Sequence, residues 1–407
     1  MGFSAGSVSF CRFAIDGPFP HGDSASAGHD VEPEWLSAVR RHAFGRRREV
    51  ESGGLESGWL APTHLFDTDF SSAQRLQVGK LIHLAMRIDR MAPPGPVVRS
   101  YVRMEEQAIR AATRREELTR AERRAAREAA RERLQAEVAD GRYRRMAGSE
   151  LLIDPQGGEV LFGNVSASAS DKLMSLFRQS FGVGLTPLTF ADLALGIARR
   201  KKLTRALDDL AQTPFVRTPV GHAGENAAPD RKDRAFLAEE FLTWLWHHVQ
   251  HHEGAVDLPS AKTLNLAFHG HLELRCPFGV SGRTVVYNDA PAASPEARAA
   301  LSIGKRAARA GLFLESAGEA WSLTLRPEPL HVQGLKIPPG DTDDPAARLE
   351  ERMGAIRTVA GIIDQVVEQF LMGRLSSAWP KTVRSIARWV QRDTPAASDV
   401  PAARVSA

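Results

Sequence analysis

Two groups of side chains in this sequence have types and spacings that could do chemistry. The first is His247, His248, His251 and His252, followed by Glu253. On a helix His247 and His251 share a face, as do His248 and His252. Such pairs bind zinc when carboxylates or cysteines reach them from elsewhere. The same residues also suit a helix C-terminus, where histidines sit well against the dipole and the open carbonyls. No third ligand is visible, so the structural reading is preferred, and no metal or other cofactor is expected.

The second group is arginine. Between Arg99 and Arg145 the chain carries fourteen arginines against nine acidic residues, a surplus of five. Glu106–Arg110 and Glu116–Arg120 have the i,i+4 spacing that braces a helix. A charged helix of this kind is often only solvated. Arginine, however, offers the planar, bidentate contact to phosphate that a merely solvated helix does not need. Smaller patches follow at Arg199-Arg200-Lys201-Lys202 with Arg205, at Lys305, Arg306 and Arg309, and at Arg46-Arg47-Arg48. Basic patches spread over several elements suit a surface that follows a phosphate backbone without reading bases.

Other chemistries are missing from the sequence. There is no Gly-x-x-x-x-Gly-Lys phosphate loop, no Gly-x-Gly-x-x-Gly after a strand and no His-Glu-x-x-His. The nearest approach to a nucleophile elbow, Gly279-Val280-Ser281-Gly282-Arg283, has arginine where the second glycine belongs. No zinc-finger or RNA-binding aromatic signature accompanies the basic residues. A non-enzymatic protein is therefore expected.

The elements that position these residues can be read from the pattern. Ser7 to Phe13 alternates as a strand, Glu34 to Phe44 reads as a short helix, and Gly79 to Ile88 as a second strand with loop between them. Val97 to Ala139, without glycine or proline, reads as a strongly helical stretch, expected as a long, protruding charged helix pair or hairpin. Its few large apolar residues cannot bury a wide face, so it must protrude, pair with another helix or face a charged partner. Glu150 to Asn164 is a hairpin, Ser168 to Phe181 an amphipathic helix stopped by Gly182, and Val183 to Phe190 a strand. Further on come a helix from Arg234 to Gln250 and strands around Leu264–Phe268, Thr284–Tyr287, Leu312–Leu314 and Trp321–Leu325. A helix from Pro295 to Arg309 interrupts those strands. A long helix follows Asp344 as N-cap with Pro345 at its first position, and a last basic helix spans Lys381 to Arg392.

With 407 residues, two or three structural units are expected, and 43% hydrophobic content is enough for a sizeable core. Net charge is +4, which permits a polyanionic partner and excludes a uniformly basic histone-like protein. Two distant cysteines, Cys11 and Cys276, imply no disulfide framework. No secretory signal or membrane span is expected, which points to the cytoplasm. The divisions expected are a core part over 1–95, a charged helical tip over 96–148, and a second core part over 149–211. A linker over 212–232, a C-terminal α+β region over 233–393 and a disordered tail over 394–407 complete them.

From the first strand to about Leu195 the order of pieces resembles the RdgC family of recombination-associated proteins. Gly58-Trp59-Leu60-Ala61-Pro62 resembles the family's Gly-Trp-x-x-Pro element. Leu84 to Ile88 and then Pro96-Val97-Val98 resemble its strand and the entry to its long charged helix. Leu118 to Arg124 is similar to its Leu-Ser-Arg-Lys-Glu-Lys turn, and Leu152-Ile153-Asp154 and Leu173 to Leu188 follow in family order. Where the family has a Leu-Pro-Arg-Ala-Phe tip, this chain has Asp140-Gly141-Arg142-Tyr143-Arg144, which keeps charge and an aromatic but loses the proline. The resemblance covers about half the chain.

It implies a DNA-binding protein with no enzymatic activity that forms a ring-like homodimer around duplex DNA, restrains the RecA recombinase and associates with the nucleoid. The fold expected is α+β and RdgC-like, with antiparallel sheets, a long charged helical tip and C-terminal helices. The residues expected to clamp phosphates are Arg120, Arg123, Arg124, Arg127, Arg142, Arg144, Lys201 and Lys202, with Tyr143 as a packing or wedge residue. A metal-dependent nuclease using His247 to His252, and a helical protein-interaction module, are the competing readings.

Overall fold

Turn signals and hydrophobic period divide the chain into short strands and helices, and the computed structural model shows where each lies. It describes residues 2–20, 32–46, 55–213, 215, 234–260, 262–276, 282–340 and 342–392. Arg47, Arg48, Gly279 to Ser281, most of the expected linker and the expected tail lie outside the described residues.

The first half runs β1 (Val8–Asp16), α1 (Glu34–Arg41), β2 (Leu55–Leu60), β3 (Gln77–Val78), β4 (Leu81–Met91), α2 (Gly95–Thr113), α3 (Arg120–Ala139), β5 (Arg144–Asp154), β6 (Glu159–Phe162), α4 (Ala167–Phe181), β7 (Gly184–Pro187), α5 (Phe190–Arg200) and α6 (Thr204–Asp208). The second half runs α7 (Phe236–His251), β8 (Ala255–Asp257), β9 (Thr263–Arg275), β10 (Thr284–Asn288), α8 (Pro295–Ser302), β11 (Arg306–Ser316), β12 (Glu319–Arg326), β13 (His331–Lys336), α9 (Pro345–Arg374) and α10 (Trp379–Arg392). The expected α+β class with antiparallel pairing is what the structure shows. Among the described residues no helix is long and apolar enough to cross a membrane.

The chain divides into two units, one of residues 1–14, 161–165 and 186–407, the other of 15–160 and 166–185. In the first unit the sheet order is β10-β9-β11-β12-β13-β1. Its core includes Phe190, Phe241 and Phe370, whose rings lie 5.2 to 6.4 Å apart. A bidentate ion pair joins Arg12 to Asp364 at 2.5 and 2.8 Å. Asp344 caps α9 as expected, its side chain accepting from Ala347 N at 3.0 Å.

In the second unit β2 pairs with β4, and β4 with β5. Alternation on β4 is weak because nine consecutive residues from Leu81 to Asp89 are buried, so both faces of that strand are covered. The core centres on Trp59, Phe177 and Phe181, with Trp59 Nε1 donating to Ser180 Oγ at 2.8 Å.

Three expectations need correction. The 45–78 stretch expected as loop contains β2, whose Gly58 lets the Phe44 backbone approach; a Cβ there would sit 2.5 Å from Phe44 Cα. The helix expected to reach Arg309 ends at Ser302, Gly304 turns at φ 94°, and β11 starts at Arg306. The strand expected to reach Phe190 stops at Pro187, and Phe190 opens α5 instead, where the Thr189 cap fixes the helix start.

Candidate nucleic-acid interface

The long helical stretch is two helices folded against each other. Arg114 adopts a left-handed conformation at φ 54° and ends α2. Thr119 then starts α3 with a reciprocal capping box: its hydroxyl accepts from Glu122 N at 3.2 Å, and Glu122 accepts from Thr119 N at 2.8 Å. The two helices run antiparallel, since Tyr101 near the start of α2 meets Glu137 near the end of α3, with O–H to Oε1 at 2.6 Å. At the other end Arg110 Nε donates to the Glu116 carbonyl at 3.0 Å, and Arg115 pairs with Glu122 at 2.6 Å. We refer to this pair as the arm. It leaves the sheet from Met91 and returns at Arg144, two residues directly opposite each other in the β4–β5 ladder.

Side-chain placement on α3 follows from its spacing. Ala126, Ala130, Leu134 and Glu137 are buried, at steps of four, four and three, and form the face against α2. Arg120, Arg124, Arg127 and Arg131 repeat at steps of four, three and four, which puts them in one exposed stripe about a quarter turn away. The stripe is about 16 Å long at 1.5 Å per residue, roughly half a turn of duplex DNA. Arg124 is 82% exposed and lies 3.0 Å from Glu128, a surface pair weak enough to yield to another anion. Arg123 is exposed between the stripe and the packed face. Arg131 belongs to the stripe by the same spacing, a signal already present in the sequence. On α2, Arg99, Arg103 and Arg110 are exposed in register with Glu106.

The return of the arm is tied down more firmly. Glu137 Oε1 accepts from Arg142 Nη1 at 3.0 Å, and Glu137 Oε2 accepts from the Tyr143 hydroxyl. The hydrogen bonds from Tyr101 and Tyr143 hold the Glu137 carboxyl below the usual range for glutamate. The bond to Glu137 pushes the Tyr143 phenol up to about 12. Arg144 Nε donates to Asp89 Oδ2 at 2.5 Å, and Arg144 Nη2 lies 3.5 Å from Glu56. Asp89 is fully buried and also takes two bonds from Arg87, at 2.7 and 2.8 Å. Burial alone would raise its pKa; the bonds and charges of Arg87 and Arg144 outweigh that and hold it below the ordinary value. Arg142 and Arg144 thus each have an acidic partner; in the exposed α3 stripe Arg124 is paired with Glu128.

Lys201 and Lys202 belong to the other unit. Lys201 follows α5 and pairs with Glu368 at 2.7 Å, and Arg200 reaches the same carboxylate at 3.9 Å. Lys202 is exposed at φ 59°. The four histidines stack in two pairs, His247 on His251 at 4.0 Å and His248 on His252 at 4.3 Å. His247 Nε2 shares a hydrogen bond with Ser385 Oγ at 3.1 Å, and His251 Nδ1 donates to the His247 carbonyl at 2.9 Å. Among the described residues no group of three or more His, Cys, Asp or Glu side chains is arranged to hold a metal ion. No protein-family model matches the chain, and a search of curated proteins finds no significant match.

Proposed function

We propose that the arm binds double-stranded DNA through its phosphates, without sequence preference, and that the chain modulates recombination by restraining access of a RecA-type recombinase to DNA. The observation that carries the DNA reading is the exposed stripe Arg120, Arg124, Arg127 and Arg131 on one face of a capped helix. Arginine forks at that spacing present donors to successive phosphates, and each phosphate neutralised releases counterions. Lys201 and Lys202 add a second basic point on the other unit. The RdgC-like order of motifs supports the recombinase connection, the ring-like homodimer and association with the nucleoid.

The test is duplex binding across a salt series, with DNA of unrelated sequences. Sub-micromolar binding at low salt that ignores sequence and weakens steeply with salt is expected. The triple reversal Arg120→Glu, Arg124→Glu and Arg127→Glu should abolish it. An unchanged affinity and salt slope in that variant would remove the arm from the site.

A further inference from the structure

The last turn of α3 contains a residue that local rules disfavour. Glu137 is buried at 9% exposure, and it stands near the negative end of the helix dipole, where no basic residue accompanies it in the turn. The helix ends in a Schellman arrangement: Gly141, at φ 78°, donates to the Val138 carbonyl at 2.9 Å, and Arg142 N donates to the Glu137 carbonyl at 3.2 Å. That arrangement brings the side chains of positions 137 and 142 together, and the pair found there is normally apolar. Here it is an ion pair, with the two tyrosine hydroxyls completing the shell of the carboxylate. An apolar pair would close the helix as well, so closure alone does not account for the charges.

We propose that Glu137 is a positioning residue for DNA binding, which holds the Asp140–Tyr143 turn so that Arg142 is presented to a phosphate. This rests on the arm being the DNA-binding surface. Arg142 keeps 63% of its side chain exposed while one nitrogen is fixed on Glu137. A guanidinium carries five N–H donors, so a fork anchored at Nη1 retains donors for an incoming phosphate. Anchoring removes rotamer freedom that a free arginine would lose on binding. Tyr101 and Tyr143 keep the carboxylate itself in place, which couples α2, α3 and the return to β5.

The experiment uses the full chain and a duplex of arbitrary sequence, with wild type, Glu137→Ala, Glu137→Gln, Arg142→Ala and the Glu137→Ala/Arg142→Ala double variant. Arg142→Ala is expected to weaken binding about fivefold and to lower the salt slope by about one. Glu137→Ala should lose as much as Arg142→Ala, and the double variant no more than either, because both act through one contact. Glu137→Gln, which keeps the acceptor oxygen, should stay within about twofold of wild type. A Glu137→Ala variant that binds like wild type, or more tightly, overturns the inference, the second result meaning that the carboxylate withholds Arg142 instead of presenting it.

If Glu137→Ala lowers helical content, Glu137→Asp takes its place. It keeps the charge and withdraws it by one methylene, so weakened binding is expected and unchanged binding overturns the inference. Absence of duplex binding by the wild type sinks the DNA reading and this inference with it. Loss of binding on arginine reversal in α3, with Glu137→Ala unaffected, sinks this inference alone.

Discussion

Arg144 and Asp89 form the tie that roots the arm: the arginine at the first position of β5 donates Nε to a fully buried carboxylate on β4, 2.5 Å away. Asp89 shares that charge with Arg87, itself 5% exposed, whose guanidinium lies 4.2 Å from the ring centre of Phe44. Removing the carboxylate leaves the buried Arg87 without its charge partner and Arg144 with only Glu56 at 3.5 Å. Asp89→Ala should therefore destabilise the protein by about 3–5 kcal/mol, read as a shift in the urea midpoint at constant slope. The pH dependence has a definite sign. The folded pKa of Asp89 lies below its ordinary value of 3.8. Its stabilising contribution is present above that value and is lost as pH falls through the folded pKa. Wild type and Asp89→Asn should thus converge in stability on acidification below about pH 4.

A second buried pair, in the other unit, predicts a different pattern. Glu240 is 2% and Arg374 7% exposed, joined at 2.7 Å, and Glu240 also accepts from Thr213 N. Glu240→Ala leaves the guanidinium buried and uncompensated and should cost about 3–5 kcal/mol. Replacing both residues by apolar side chains of similar volume should cost much less than the single change, because the desolvation of both charges is relieved together. Thermal unfolding of the two variants compares them directly; equal losses would mean that the pair is net stabilising.

His247 should behave as a neutral core histidine. Burial, followed by the neighbouring histidines, lowers its pKa to about 4. Since this lies below the ordinary 6.5, protonation favours the unfolded chain. Stability should fall as pH drops from about 6.5 to 4, by roughly 1 kcal/mol per unit from this residue. His247→Gln should flatten that part of the curve. A ring that titrates near 6.5 by NMR would contradict the packing of His247 beside Trp389 and Ser385.

Individual arginines of α3 should separate by position. Arg127→Ala should lower the duplex-binding salt slope by about 0.9. Arg133→Ala should lower the slope less, since its guanidinium is held 4.6 Å over the Tyr101 ring on α2 and lies outside the stripe. A salt series on the two variants decides between a stripe that touches DNA and a diffuse contribution from overall charge.

Much of the fold was legible where local chemistry and tertiary packing agree. Asp344-Pro345 marks the start of α9, and Asp154 to Gly158 the β5–β6 hairpin, each by short-range bonding. A helix pair or hairpin is expected here, but the break between α2 and α3 carries neither glycine nor proline, so composition does not place it. The signal lies in Thr119 and Glu122, whose three-residue spacing is a capping box. Strand β2 escapes the pattern because Gly58 interrupts it and its pairing is with β4, almost thirty residues later. The α3 stripe follows from spacing alone. The bonds of Arg144 to Asp89 and of Tyr101 to Glu137 cross 55 and 36 residues, and nothing short-range in the sequence announces them.

Because Met91 and Arg144 face each other across one ladder, the chain enters and leaves the arm at a single point of the sheet. Everything from Ala92 to Tyr143 is, in that sense, a cassette: a tight turn could bridge the same two positions and leave the neighbouring strand register as it is. Whatever the arm grips, the sheet beneath it can be inherited, shortened or re-armed without being rebuilt.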